Sequence, residues 1–467
     1  MKLRYSQCLY TTVLLAVAFI CPGTAPAADV EVGGQKYATI QEAIDAHPGQ
    51  MIFLPGGDHV ISQAIVIKHS GSGLYGGARI VQDNPAQDII RVEGANDVRV
   101  RDLTLTRAEG TQDAPGKAAV WAEKCDRLEL SGLQVHENRS SAGSISLLAC
   151  RQSRVSECLV NNYKTLAIDD RSKSDLYGFA FKAIDGTGIQ IRECVGVQVI
   201  NNRVIETTYI PTKENRDKYD LGTLTIMPEK PGRLMQQDIF DTRYTNNWHQ
   251  GAGLQVSSPT QSDFITITGN YFENAAQGMD IHADHVIISN NHVNRAMIGM
   301  KTMHGAKHVL ISSNQFSYCD LWGLKLMPGA LSHVACAAAD DKPARDENTD
   351  GGTIVANNIF THFGLGDQRW NWEGRKPEYP ERNVIAVLFG QLEDNPPITD
   401  IIITGNLVYD SGKNQVLIDG QPQVVGPKYY YALYVEPTRQ PAPRRVLAKG
   451  NLFDPGINGA SNLPLVP

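Results

Sequence analysis

Asp280 and His282 stand two residues apart in Gly278-Met279-Asp280-Ile281-His282. If this stretch is a strand, both side chains point the same way. An aspartate beside a histidine can orient the ring and stabilise its charged form, the arrangement of a general base. The phrase recurs as Gly253-Leu254-Gln255-Val256-Ser257, Gly299-Met300-Lys301-Thr302-Met303 and Gly323-Leu324-Lys325-Leu326-Met327. In each copy the second and fourth residues after Gly face away from the first and third, which are apolar except for Thr302. Period two reads as a strand with one buried face. Stacked in register, the copies place Gln255, Asp280, Lys301 and Lys325 in one outward column, with Ser257, His282, Met303 and Met327 beside it. Lys301 is then one strand spacing, about 5 Å, from Asp280. His304 follows the Lys301 strand, and His249 precedes the Gln255 strand. An ion-pair ladder on a solvated sheet is the alternative for Asp280 and Lys301 alone. His285, His292, His308 and His333 read as ordinary turn or loop residues.

A second phrase holds these strands in place. It runs apolar-x-apolar, two residues, Asn, one residue, apolar. It leads to Asn202, Asn270, Asn291, Asn314, Asn358, Asn406 and Asn451, with weaker versions at Val98–Leu105, Leu128–Val135 and Val155–Val160. The short intervals, 270 to 291 to 314, are single rungs, and the long ones carry insertions. A single rung cannot bury its apolar face, so rungs must stack. Asn tolerates a left-handed bend, and its amide can bond to the same amide above and below. Two strands flank each Asn, and the Gly phrase opens a third. The expected fold is all-β: a single-stranded right-handed parallel β-helix. Thr39-Ile40-Gln41-Glu42 is a capping box, and the short helix it starts, to about Ala46, would cover the open N-terminal end.

The chain has 467 residues and a net charge of −7 with no basic block, which argues against nucleic acid as a partner. Residues 1–28 read as a signal peptide, with Lys2 and Arg4, an apolar run from Val13 to Ile20, and Ala25-Pro26-Ala27 for cleavage. No later run is long enough to span a bilayer. The expectation is a periplasmic or secreted monomer in which residues 29–467 form one β-helix domain. Cys125, Cys150 and Cys194 occupy similar places in their rungs and read as an inward stack, although export would allow disulfides. No Cys-x-x-Cys or Cys/His zinc spacing is present.

By these repeats the chain resembles the pectate-lyase-like superfamily of right-handed β-helix proteins over roughly residues 35–455. The resemblance implies that the strand after the third turn, here the Gly phrase, forms a sugar-binding face. Insertions at Leu331–Gly351 and Gly364–Arg382 flank that face, and a third, Tyr209–Leu221, lies one turn earlier. Arg369, Trp370, Trp372 and Arg375 in the second insertion, with Gln255, are candidate substrate-binding residues, because rings stack on sugars and Arg pairs with carboxylates. Asp280-Ile281-His282-Ala283-Asp284 resembles the Asp-Pro-His-Asp motif of alginate C5-epimerases in its Asp-x-His core. The resemblance implies a carbohydrate-active enzyme for an acidic, uronate-containing polysaccharide. The favoured chemistry is C5 proton abstraction by a polysaccharide lyase, with a uronate C5-epimerase as the alternative. Asp280, His282, Lys301 and Lys325 are the candidate catalytic residues, with His304 and His249 as acids at the margin. Lys301 and Lys325 suit neutralisation of the substrate carboxylate, and Lys301 is the rival base. A hydrolase would need a second carboxylate, from Asp320 or Asp341, and the adjacent Asp pair and Gly-His-Gly motif of polygalacturonases are missing. A non-catalytic sugar-binding β-helix is the last alternative. No cofactor is required by these residues. A Ca²⁺ site built from loop oxygens stays open.

Overall fold

The computed structural model describes residues 29–169, 180–210, 212–219, 224–225, 250–338, 343–365, 382–410 and 413–465. The signal-peptide expectation for residues 1–28 lies outside them. The described chain winds into rungs of three short strands. One rung runs Thr266–Thr268, Tyr271–Glu273 and Gln277–Ile281, and the next Ile287–Ser289, His292–Asn294 and Ile298–Thr302. Each strand pairs in parallel with its counterpart one rung on. One strand of every rung enters a 12-stranded sheet, and the other two faces join in a 22-stranded sheet. In the short strands the middle residue is buried and its neighbours face outward. The inward residues, mostly Ile, Val, Leu and Phe, merge into one core along the coil.

The asparagines form the expected ladder. From Asn202 through Asn270, Asn291, Asn314, Asn358 and Asn406 to Asn451, each Nδ2 donates to the next Oδ1 at 2.9 to 3.0 Å. Each Nδ2 also donates to a carbonyl of the preceding rung, as Asn291 does to Ile267 O at 3.0 Å. Each Oδ1 accepts a backbone N–H as well, as Asn291 does from Asn270. One detail differs from expectation: the left-handed residue is the one before the ladder Asn. Gly269, Asn290, Ser313 and Asn357 have φ of 70°, 57°, 58° and 56°. The bend at this neighbour turns the Asn side chain inward, where its amide must be bonded to be tolerated. In the earlier rungs Cys158 takes the corner, and its N–H donates to Asn202 Oδ1 at 3.0 Å.

Cys125, Cys150 and Cys194 are buried free thiols in a stack, as read from the sequence. The helix Ile40–Ala46 is capped by Thr39 Oγ1, which accepts from Glu42 N–H, and it buries Ile40, Ala43 and Ile44. Gln41 bonds both backbone groups of Val66, at 2.7 and 3.0 Å. Val66 lies on the terminal strand of the 12-stranded sheet, so Gln41 satisfies part of an otherwise open edge. No helix among the described residues is long and apolar enough to cross a membrane.

Replacing Asn291 by Ala strips partners from the Asn270 amide and the Ile267 carbonyl, all inside the core. At about 1–3 kcal/mol for each buried group left unpaired, the loss should exceed about 2 kcal/mol in a denaturant titration. Asn451→Ala, at the half-exposed end of the ladder, should lose less. Equal losses would argue that the ladder adds nothing cooperative.

Candidate active site

The four Gly phrases stack as expected. Gln255 pairs with Asp280, Asp280 with Lys301, and Lys301 with Lys325, all in the 12-stranded sheet. The glycines are required by packing. A Cβ on Gly278 would lie 2.4 Å from Gly299 O and 2.5 Å from Val293, and one on Gly299 would lie 2.4 Å from Gly323 O and 2.6 Å from Phe316. The backbone therefore sits tight on the core rings, which sets where the outward side chains begin.

Asp280 and His282 are buried, at 4% and 8% exposure, so the Asp280–Lys301 ion pair forms as the alternative reading expected but not on a solvated sheet. His282 Nε2 lies 2.7 Å from Asp280 Oδ1, off the line of a well-formed hydrogen bond. Lys301 Nζ is 3.4 Å from Asp280 Oδ2. Lys325 Nζ lies over the Trp322 ring, 3.9 Å from its centre. The His304 ring meets His282 edge-on, with centres 4.5 Å apart. The described residues thus bring one carboxylate, two imidazoles and two ammonium groups onto one face.

Two sets of residues escaped the sequence reading. Ser146 Oγ donates to Gln190 Oε1 at 3.3 Å, Gln190 Nε2 to Gln255 Oε1 at 3.0 Å, and Gln255 Nε2 points to Asp280 Oδ2 at 3.5 Å. Gln190 belongs to Gly188-Ile189-Gln190-Ile191-Arg192, a fifth copy of the phrase that was there to be found. The second set is an apolar cluster outside the coil, including Ile298, Trp322, Ala386 and Leu388, with Met327 and Tyr434 against it. Met303 is buried too. His249, Arg369, Trp370, Trp372, Arg375 and Asp341 lie outside the described residues. Asp320 is buried at the turn before Leu321 and Trp322.

The 331–351 insertion is anchored against His304. Leu331 N–H donates to His304 Nδ1 at 3.2 Å, and Gly329 packs so close that a Cβ would fall 2.1 Å from that nitrogen. Asn348 Nδ2 donates to His304 O and Leu331 O at 2.8 and 2.7 Å. Asp350 Oδ1 accepts from Gly305 and Ala306 N–H, and Ser332 hydroxyl donates to its Oδ2.

Solved structures place this architecture. The chain matches the Dettilon tailspike protein with a TM-score of 0.53 and 11% identity, over 90% of this chain and 62% of the tailspike. The chain is a right-handed parallel β-helix. The β-helix thus spans somewhat under two thirds of the tailspike it matches. It also aligns with the Azotobacter vinelandii mannuronan C-5 epimerase AlgE6 A-module, at a TM-score of 0.44 and 14% identity over 92% of this chain and 93% of that one. A Yersinia enterocolitica family 28 exopolygalacturonase aligns at 0.47 and 12% identity, over 90% and 77%. Such identities speak to the fold alone. No protein-family model and no curated protein matches the chain.

The electrostatics of the β-helix site split its groups. Burial alone would raise the Asp280 carboxyl, but His282 and Lys301 outweigh it and hold the group well below the usual carboxylate range. Burial, with the charges of His282 and Lys301, pushes His304 down to about 3. His304 is therefore neutral at ordinary pH, and with Nδ1 accepting from Leu331 its proton sits on Nε2. It can donate a hydrogen bond, but it does not carry the charge of an imidazolium acid. Burial pushes Asp350 up to about 7, against the hydrogen bonds from Ser332, Gly305 and Ala306.

These two groups give opposite pH signatures. An unfolded His takes a proton near about 6.5, above the folded value of His304, so this group costs stability as pH falls toward about 3. An unfolded Asp releases its proton near about 3.9, whereas Asp350 keeps it to about 7, so this group costs stability as pH rises across that window. Melting temperatures should show His304→Asn gaining on wild type toward acid, and Asp350→Asn gaining toward neutral pH. Parallel curves would contradict the assignments.

Proposed function

We propose that this protein is an exported enzyme that acts on a uronate-containing polysaccharide by taking the proton from C5, with β-elimination as the outcome. The observation that carries the reading is the buried Asp280–His282 pair directly beneath two stacked ammonium groups, Lys301 and Lys325. The C5 proton of a uronate is weakly acidic because the adjacent carboxylate carries a charge already. Neutralising that charge and placing a base on the proton are the two requirements. Lys301 and Lys325 meet the first. An ammonium already ion-paired to Asp280 suits this role better than that of base.

His282 meets the second requirement. In its neutral form, with the proton on the Nε2 that faces Asp280, Nδ1 is the nitrogen that accepts a proton. The C5–H bond breaks toward His282, a C4–C5 double bond forms, and the C4–O4 bond breaks with its electron pair leaving on O4. His304 offers a neutral Nε2–H to the departing oxygen, which takes its proton from water or from His282. The rival outcome, epimerisation, returns a proton to C5 from the opposite face. A hydrolase is less well supported, because it needs two carboxyl groups across the bond. Among the described residues, the charged groups acting on His304 are His282, Lys301 and Asp280, of which Asp280 is the one carboxylate. No step is assigned to a metal ion, and the chain is taken to work as a monomer.

Incubation with a panel of uronate polymers tests this reading. A lyase gives the ultraviolet absorbance of an unsaturated uronate. Exchange at C5 without that absorbance means epimerase, new reducing ends without it mean hydrolase, and binding with no product means a non-catalytic protein. His282→Ala and Lys301→Ala should each lower turnover by at least about a hundredfold. If both stay folded and keep nearly full activity, the chemistry is elsewhere.

A further inference from the structure

One corner beyond the site strand, a second set of ionisable groups stacks on the outer surface. Asp263, Asp284 and Lys307 occupy one position in successive rungs, and Phe264, His285 and His308 the next. The second set lies in the left-handed region, with φ of 54°, 47° and 52°. All three rings are therefore thrown outward at the same angle. Phe264 stacks on His285 with centres 4.8 Å apart, and His285 on His308 at 4.6 Å. The stack aligns the two imidazoles so that both Nδ1 atoms face the aspartates. His285 Nδ1 is 2.9 Å from Asp263 Oδ1 and 3.4 Å from Asp284 Oδ1, and His308 Nδ1 is 2.6 Å from Asp284 Oδ1.

We propose that Asp284, His285 and His308, with Asp263 at the margin, bind a divalent transition-metal ion of the zinc class as a clip across three rungs. The donor atoms of Asp284, His285 and His308 lie within 4.8 Å of one another. Zinc bonds of about 2.0–2.1 Å in a tetrahedron put ligand atoms about 3.3 Å apart, so the observed spacings need to change by no more than about 1.5 Å. Two imidazoles with carboxylates suit zinc, copper or nickel, whereas calcium and magnesium prefer a shell of oxygens. The carboxylates are already oriented. Asp263 Oδ1 accepts from Phe264 N–H at 2.9 Å, and Asp284 Oδ1 from His285 N–H at 2.8 Å. Such outer bonds tune metal ligands. Lys307 Nζ lies 4.0 Å from Asp284 Oδ2, the oxygen not turned to the imidazoles, and 3.6 Å from Glu347 Oε1. It can keep those partners while Oδ1 binds the ion. Without a metal, the same contacts form an Asp–His hydrogen-bonded ladder.

The site differs from the proposed catalytic pair, so the two must be separated by experiment. Zinc is titrated into the metal-stripped protein against a chromogenic chelator, with melting temperature as a second readout. Wild type should bind zinc saturably and melt higher with it. His285→Asn and His308→Asn, chosen because Asn tolerates the left-handed backbone, should each weaken binding by at least about tenfold. His282→Ala should bind as wild type does. X-ray absorption of the zinc-loaded protein should report two imidazole ligands, a readout that needs no variant. Absent or merely non-saturable binding, binding insensitive to His285 and His308, loss only in His282→Ala, or an all-oxygen shell would each overturn the proposal.

Discussion

Parallel stacking of rungs places every residue about 4.8 Å above the residue at the same position one turn earlier. This spacing is the constraint from which the rest follows. Inside, it lets like apolar residues pack on like. At the polar corner it lets an amide continue in both directions, which an Asn can do because its side chain both donates and accepts. The unbroken run from Asn202 to Asn451 is therefore the polar counterpart of the aliphatic core. Where Cys158 takes the corner, its backbone N–H joins the run at Asn202, and its thiol reaches the Leu130 carbonyl of the preceding rung.

On the outside the same spacing is costly for charge, since like charges one rung apart repel. The column is arranged to limit that cost. Asp280 lies beneath Lys301, and Lys325 rests on the Trp322 ring, whose face attracts a cation. Lys301 and Lys325 still sit one above the other. On the proposed function, a substrate carboxylate would meet both ammonium groups there. Asp280 is buried, and a buried charge needs its partners, here His282 and Lys301, held in place.

The fold and the site register were legible because both depend on local repeats. The Gly phrase fixed which residues share a column, and packing of Gly278 and Gly299 on Val293 and Phe316 explains why that phrase begins with Gly. What stayed hidden depends on contacts between rungs that sequence distance obscures. Gln190 carries the same phrase, but a long insertion separates it from Gln255. Asn was assigned the left-handed bend on its own propensity, whereas its neighbour takes that bend so that the amide can turn inward. His285 and His308 looked like unrelated turn residues. Only the rung alignment shows that each faces an aspartate of the rung before. Asp350 gave no signal at all, because its role is to hold the corner after His304.

The polar face also has a direction along the coil. From Ser146 through Gln190 to Gln255 the column is neutral and joined by hydrogen bonds, from Asp280 through Lys301 to Lys325 it is charged, and Ala386 and Tyr434 continue it beyond. A polymer of alternating hydroxyl and carboxylate groups laid along this face would meet amides in one stretch and ammonium groups in the next. Amides can bond to hydroxyls in either sense, so the glutamines tolerate variation in the sugar they touch. The lysines do not, since they reward only an anion. The charged stretch, where His282 and His304 also lie, is thus where the proposed discrimination and the proposed chemistry would coincide, and the described residues of the 331–351 insertion are anchored there.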